Sequence, residues 1–386
     1  MNSNSDAGKE PVTGQPYLKT IAASYEHVPS LDGLRAISIA AVLFTHFVAP
    51  HGPGGYGVFL FFIISGFLIT RLLFAEQNRR EISIKDFYLR RFFRLYPVLV
   101  VFTLFAVTVS YFRYGHFSLD EAFAALFYYA NFLIVHKELT GQPLDFEAFQ
   151  VFWSLSVEEH FYLFFPVIFF FLKKAERVAI LAIVVIVACT AARYLMASAH
   201  PELIGTHYFG MLTQYRIDSI ALGVLLAAMC EIPAGQRIVM LADRYWMLAL
   251  AFVVLAAGFI LIRDPALKTA LRWPMLGFPI LVMIAAVVFS PRHRLAIAAL
   301  NHPAAVWTGK LSYSLYVWHT LAGYAAHDLL ANPVLATAGA VFFSYLFAAL
   351  SYFLIEQPMI RAGKRMRKKT GPHVPPGGPA EATLAG

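Results

Sequence analysis

Charge is scarce in this sequence. Only 14% of its 386 residues are Asp, Glu, Lys or Arg, against roughly 25% in soluble domains. Hydrophobic residues make up 59%, and mean hydropathy is +0.62. A chain this long with so little charge must keep most of its surface from water, and lipid is the available solvent. Cysteine is equally sparse. Cys189 and Cys230 lie in separate apolar runs, which argues against a disulfide framework or a metal cluster and for plain apolar packing. No His, Asp or Glu cluster has metal-ligand spacing, so no metal is implied. The first ~30 residues lack an apolar segment with a cleavage site and read as a polar tail, not a signal peptide. No internal repeat is visible. The stretch from Ile360 onward is rich in Lys, Pro and Gly and reads as disordered.

What the sequence does contain is long apolar runs. A helix needs roughly 17–25 mostly apolar residues to cross a bilayer. Spans are predicted at 34–50, 58–75, 95–112, 158–172, 178–197, 217–230, 246–262, 275–290, 311–329 and 335–355. A shorter stretch, 122–135, is broken by Asn131. Basic residues favour cytoplasmic loops, and this decides the count. Ten spans with both termini inside put Arg79, Arg80, Lys85, Arg90, Arg91 and Arg94 in one inner loop. Lys173, Lys174 and Arg177 fall in the next, and Arg292 and Arg294 in another. The loops at 51–57 and 331–334 carry no Lys or Arg and fall outside. An eleventh crossing at 122–135 would move Lys173 and Lys174 outside, so that stretch is expected to be partly embedded on the outer side. The net charge of +8 then reflects inner loops facing anionic lipid and requires no nucleic-acid partner.

Ionisable groups inside a membrane are costly and point to function. Four places qualify. Arg35 opens the first span and His46 lies eleven residues further on. At about 100° per residue the two share a helical face and stand ~16 Å apart along the axis. Each also admits a plain reading, as a topology anchor and an interfacial histidine. Arg91 and Arg94, just before Tyr96-Pro97, could clamp phosphates through their guanidinium forks or merely signal topology. Glu158 and Glu159 open the fourth span after Trp153 and Ser154. They point about 100° apart, so at most one faces the bundle centre; helix-dipole stabilisation is the alternative. His319 falls mid-span among hydroxyl-bearing neighbours, as a functional or a satisfied buried histidine. Two lesser cases are an internal Arg216–Asp218 pair and Glu356, a helix-end carboxylate with Pro358 as a stop.

Taken in order, these pieces resemble the bacterial acyltransferase-3 family of integral membrane O-acyltransferases. The matching residues are Leu31-Asp32-Gly33-Leu34-Arg35 with His46, the run from Gly57 through Ser65-Gly66 to Thr70, Arg91-x-x-Arg94 with Tyr96-Pro97, Trp153-Ser154-Leu155-Ser156-Val157-Glu158-Glu159, and Ser312-Tyr313-Ser314-Leu315-Tyr316-Val317-Trp318-His319. They cover nearly the whole chain. His160 stands where members often have Gln. The resemblance implies an all-α polytopic protein of the bacterial inner membrane that moves an acyl group, by family habit acetyl, from cytoplasmic acyl-CoA to a carbohydrate hydroxyl. Acyl-CoA is a co-substrate; no permanent cofactor is implied. The expected organisation is a polar tail over 1–28, a transmembrane acyltransferase domain over 29–360 and a disordered basic tail over 361–386, as in stand-alone members without a C-terminal hydrolase-like domain. His46, Glu158 and His319 are the expected catalytic groups. Arg35, Arg91 and Arg94 are the expected acyl-CoA ligands, with Asp32, Ser65, Trp153 and Ser154 in support. The competing class is a proton-coupled small-molecule or saccharide transporter, against which the missing repeated halves and paired broken helices speak.

Overall fold

The computed structural model describes residues 27–79, 82–290 and 292–370, and their regular structure is helical throughout. Helix suits long continuous apolar runs in lipid, because it satisfies each backbone N–H and C=O within its own segment. The principal helices are α1 (Pro29–Phe47), α2 (Gly54–Asn78), α3 (Ile84–Tyr114), α4 (Leu119–Leu126), α5 (Ala130–Leu139), α6 (Phe152–Leu172), α7 (Ala175–Ala199), α8 (Thr213–Glu231), α9 (Pro233–Met240), α10 (Tyr245–Leu261), α11 (Pro265–Phe289), α12 (Pro303–Leu329), α13 (Pro333–Ser351) and α14 (Gln357–Thr370). Local signals set several starts. Proline occupies the first turn of α1, α11, α12 and α13, where its missing N–H costs nothing. Ser83, Asp264 and Asn332 accept from the first free amides of α3, α11 and α13.

Helix α1 packs between α12 and α2, α2 against α8, α8 against α7, and α7 against α11. The α2–α8 crossing is a backbone contact. A Cβ on Gly223 would lie 1.9 Å from the carbonyl oxygen of Ile63, and one on Gly66 would lie 2.1 Å from that of Ile220. Small residues permit such approaches in lipid, where packing rather than water drives association. Large apolar side chains such as Phe105, Phe164, Phe171, Val184 and Leu195 stand exposed on the outside of the bundle. In water such a surface would aggregate; against hydrocarbon it is the ordinary exterior of a multi-pass membrane protein.

Each of the ten predicted spans coincides with a helix, although not all resemble isolated crossings. Among the described residues, seven helices are long and apolar enough to span by composition, and eight if the pair bent by 111° at Ile232 counts as one. The remaining two differ in kind. In α10 the apolar stretch is short, Tyr245–Gly258. Helix α12 has 27 residues but carries Ser, Tyr, Trp and His because it lies inside the bundle, where Leu315, Val317 and His319 have no exposed surface. The stretch 122–135 folds as α4 and α5 around Tyr128, whose φ is 57°, and neither piece is long enough to cross. Asn131, the apparent breaker, is fully buried and donates to Thr213 Oγ1 at 2.9 Å.

Three expectations are corrected. The tail does not become disordered at 361: α14 runs to Thr370 and packs on α3, with Gly363 against the Phe93 ring. Pro358 is not a stop. The turn Tyr352–Glu356 widens to a π-turn in which the Gln357 N–H reaches Tyr352 O, and the helix continues past the proline. The expected Arg216–Asp218 pair does not form, because Asp218 binds Arg193 Nη2 at 2.7 Å instead. The expected tails at 1–26 and 371–386 lie outside the described residues.

Candidate active site

Five helices enclose a cavity of about 300 Å³. On α6, Ser154, Glu158 and Tyr162 recur every four residues and so share one face, and all three line the cavity. Glu159, the next residue along, does not, in line with the ~100° step between neighbours. Helix α2 supplies Phe61, Phe62, Ser65 and Leu68, and α12 supplies Ser312, Tyr313 and Tyr316. The cations come from α1 with Arg35 and from α3 with Arg91 and Arg94.

Glu158 is the acidic centre of this cavity. Its Oε1 accepts from Ser65 Oγ at 2.6 Å, and Arg91, Arg35 and Arg94 lie near enough to act on its charge. The Arg91 guanidinium lies 4.1 Å from the centroid of the Tyr162 ring, a cation–π contact that holds the fork in place while leaving its edges for a ligand. Ser154 Oγ lies 2.6 Å from the Tyr316 hydroxyl, which donates to Val151 O at 2.9 Å. Ser312 Oγ is buried in the wall and has no partner among the described residues.

A second cavity, about 460 Å³, adjoins the first at the end of the bundle formed by the start of α1 and the turn from Tyr352 into α14. Arg35, Leu68 and Arg94 belong to both walls. The second is strongly basic: Arg71 and Lys310 join Arg35 and Arg94, against Asp32 and Glu356. Asp32 accepts from His27 at 2.5 Å. Glu356 is buried and accepts from Ser314 at 2.9 Å.

The histidines stand apart from both cavities. His46, in the last turn of α1, is exposed and meets His319 edge-on, with ring centroids 4.8 Å apart. His319 is fully buried. Its Nδ1 lies 2.8 Å from Tyr316 O. A carbonyl can only accept, so Nδ1 carries the proton and Nε2, which has no partner among the described residues, is the basic nitrogen. Tyr316 thus touches both centres: its ring and hydroxyl face the cavity, and its carbonyl orients His319.

The structure therefore gathers Arg35, Ser65, Arg91, Arg94, Ser154 and Glu158 around one cavity, pairs His46 with His319 beyond Tyr316, and leaves Asp32 at the second cavity. Trp153 does not line the main cavity. It packs edge-on against Phe62, with ring centroids 6.0 Å apart, and lies 5.9 Å from the Arg216 guanidinium. His160 points elsewhere too, with Nδ1 2.7 Å from Thr213 Oγ1. Sequence reading assigned no role to Tyr316, Tyr162 or Ser312. Their signal was the hydroxyl-rich stretch of α12 and the four-residue spacing from Glu158. Arg193 was also missed, although it is the lone charge in the 178–197 run.

The model of the acyltransferase-3 family, an acyltransferase domain, matches residues 28–354. The chain belongs to that family. Among curated proteins it is similar to "Putative O-acetyltransferase SACOL0978" of Staphylococcus aureus (strain COL), 30% identical over 366 residues, which cover 87% of this chain and 58% of the relative. It is also similar to O-acetyltransferase OatA of Staphylococcus aureus (strain NCTC 8325 / PS 47), 28% identical over 374 residues, which cover 88% of this chain and 58% of that protein. The chain thus spans somewhat over half the length of these relatives. No solved structure matches it.

Proposed function

We propose that this protein transfers an acetyl group from acetyl-CoA to a hydroxyl of a carbohydrate at the bacterial inner membrane. The observation that carries the reading is the pair of adjoining cavities that share Arg35 and Arg94, the first of them walled by Tyr316, on whose far side the His46–His319 pair stands. Coenzyme A carries phosphates at one end and a thioester at the other. The basic cavity at Arg35, Arg71, Arg94 and Lys310 suits the phosphates, because guanidinium forks bind them bidentately. The mixed polar and apolar cavity beyond suits the pantetheine arm and the acyl group. Arg35 and His46 are about three helical turns apart, of the order of that arm.

In the proposed chemistry the acceptor oxygen attacks the thioester carbonyl carbon while its proton passes to His46. The C–S bond then breaks, and the thiolate leaves and is protonated to free CoA. The exposed position of His46 lets an acceptor approach it directly, and His319 packs behind and positions it. Glu158, held by Ser65, offers acceptor hydroxyls a hydrogen-bond partner and balances the arginines. Arg35, Arg71, Arg94 and Lys310 gather at one end of the bundle, where α14 packs on α3. With the inside bias of basic loops, this supports ten crossings with both termini cytoplasmic, the donor entering from inside and the acceptor from outside. Reporter fusions at the C-terminus and within 113–150 should read opposite sides; the same side for both would refute this topology.

The test of function is CoA release by purified protein supplied with acetyl-CoA. His46→Gln should still bind donor yet lose about 10²–10⁴ in transfer rate, the usual worth of a general base. An amide keeps the hydrogen bonds but cannot take the proton. Full activity in that variant would shift the base to His319 or Glu158. No donor-dependent CoA release from the native protein would favour transport over transfer.

A further inference from the structure

A third cavity, about 390 Å³, shares no lining residue with the two described above. Its walls include Tyr56 at the start of α2, Lys268, Thr269, Arg272 and Trp273 on α11, and Thr206 from the loop before α8. Its position relative to the histidines follows from α1 and α2. Thr45 Oγ1 accepts from Gly54 N–H at 2.7 Å, so the end of α1, with His46, adjoins the start of α2, with Tyr56. The third cavity therefore opens at the His46 end of the bundle, opposite the basic donor end.

Its charge is one-sided. No carboxylate lines it, and neither Lys268 nor Arg272 has a salt-bridge partner among the described residues. Arg272 rests against aromatic rings, 5.0 Å from the Trp273 centroid and 5.7 Å from that of Tyr56. Behind Trp273 stands a further cation. The Arg216 guanidinium lies 3.5 Å from the Trp273 centroid, 1% of the residue is exposed, and Nε and Nη1 have no acceptor. The nearby carboxylate, Asp218, is already bound by Arg193. Two cations thus lie against one tryptophan and a third, Lys268, lines the same cavity, which has no carboxylate in its wall. A ligand group supplies the missing charge more directly than any neighbour does.

We propose that this cavity is an acceptor subsite for an acidic saccharide, a sugar unit bearing a carboxylate or phosphate. Lys268 and Arg272 pair with the anion, Tyr56 and Trp273 give apolar ring surface to the sugar, and Thr206 and Thr269 meet its hydroxyls. The subsite holds one unit of the acceptor while a neighbouring hydroxyl lies at His46. This rests on the transfer reading above for its purpose, but not for its binding. The combination of ring faces and hydroxyls with the cations favours a sugar over a lipid headgroup, which needs only the cations.

The experiment measures equilibrium binding to the full chain in nanodiscs of uncharged phosphatidylcholine. The probes are a short glucuronate oligosaccharide and a glucose oligosaccharide of equal length, with acetyl-CoA as a fold control. The acidic sugar should bind more tightly, and the Lys268→Gln/Arg272→Gln double variant should weaken it by at least about tenfold, as expected on losing charge-assisted contacts. Tyr56→Ala should weaken both sugars, and acetyl-CoA affinity should stay unchanged in every variant. Equal affinity of the native protein for the two sugars, no sugar binding, or native affinity in the double variant would overturn the proposal. Loss of added phosphatidylglycerol retention in the double variant, with sugar binding intact, would identify headgroup anchors and overturn it too. Acidic-sugar binding that persists in a protein showing no CoA release would retain this site and discard the transfer reading, so the two failures are distinguishable.

Discussion

Two groups of ionised residues lie within the helical bundle, and they are built on opposite principles. Around Arg193, each guanidinium nitrogen has an acceptor. Its guanidinium donates to Asp218 at 2.7 Å, to Tyr215 O at 2.5 Å, to Ala270 O and to Thr190, and both charged side chains have no exposed surface. Around Glu158, the cations outnumber the carboxylate, Arg91 leans on a ring instead of an anion, and the group borders an open cavity. A buried charge with every nitrogen bonded locks helices together. Charges left with spare donors around a void are prepared for a ligand, at a cost in stability that structural use alone would not justify. An arginine within a span is therefore not by itself a site; its unspent hydrogen bonds make it one.

The largest expected effect comes from breaking the closed group. Arg193→Met should leave Asp218 buried and unpaired and destabilise the protein by about 3–5 kcal/mol. Thermal unfolding in detergent should show this as loss of the folded population. A variant as stable as the native protein would mean that the pair is incidental. In the open group the same kind of change should spare the fold. Arg94→Gln should keep native thermal stability while weakening acetyl-CoA binding by about ten- to a hundredfold, the worth of a charge-assisted contact. Titration of donor binding decides it, and a destabilised Arg94→Gln variant with native affinity would erase the contrast. Smaller still is Ser65→Ala, which removes one hydrogen bond from Glu158 and should lower kcat about five- to tenfold with the donor Kd unchanged. An equal loss in donor affinity would place Ser65 in the donor site.

The two groups were not equally legible beforehand. Arg35, Arg91, Arg94, Glu158, His46 and His319 stand out because ionisable residues interrupt apolar runs, and the helical period alone puts Arg35 and His46 on one face and separates Glu158 from Glu159. The closed group left a fainter trace. Arg193 and Asp218 are the single charges of two consecutive runs, yet proximity in sequence pointed Asp218 toward Arg216. In space Arg216 turns to Trp273 and Asp218 to the neighbouring helix, because side chains two apart on a helix do not face each other.

Composition and pattern by themselves determined that this chain is helical, that it lives in lipid and where its spans run, because long continuous apolar runs satisfy their backbone in hydrocarbon as helices. They also determined which residues carry charge where charge is expensive. Only the tertiary structure decided which of those charges share a cavity and which are spent on one another. The separation of the histidine pair from the arginine cavity by Tyr316, the helix that continues through Pro358, and the cationic cavity at Trp273 were likewise settled there. Each depends on how helices rotate and cross, and that is fixed by contacts such as Gly66 and Gly223 against opposing backbone, between residues far apart in the chain.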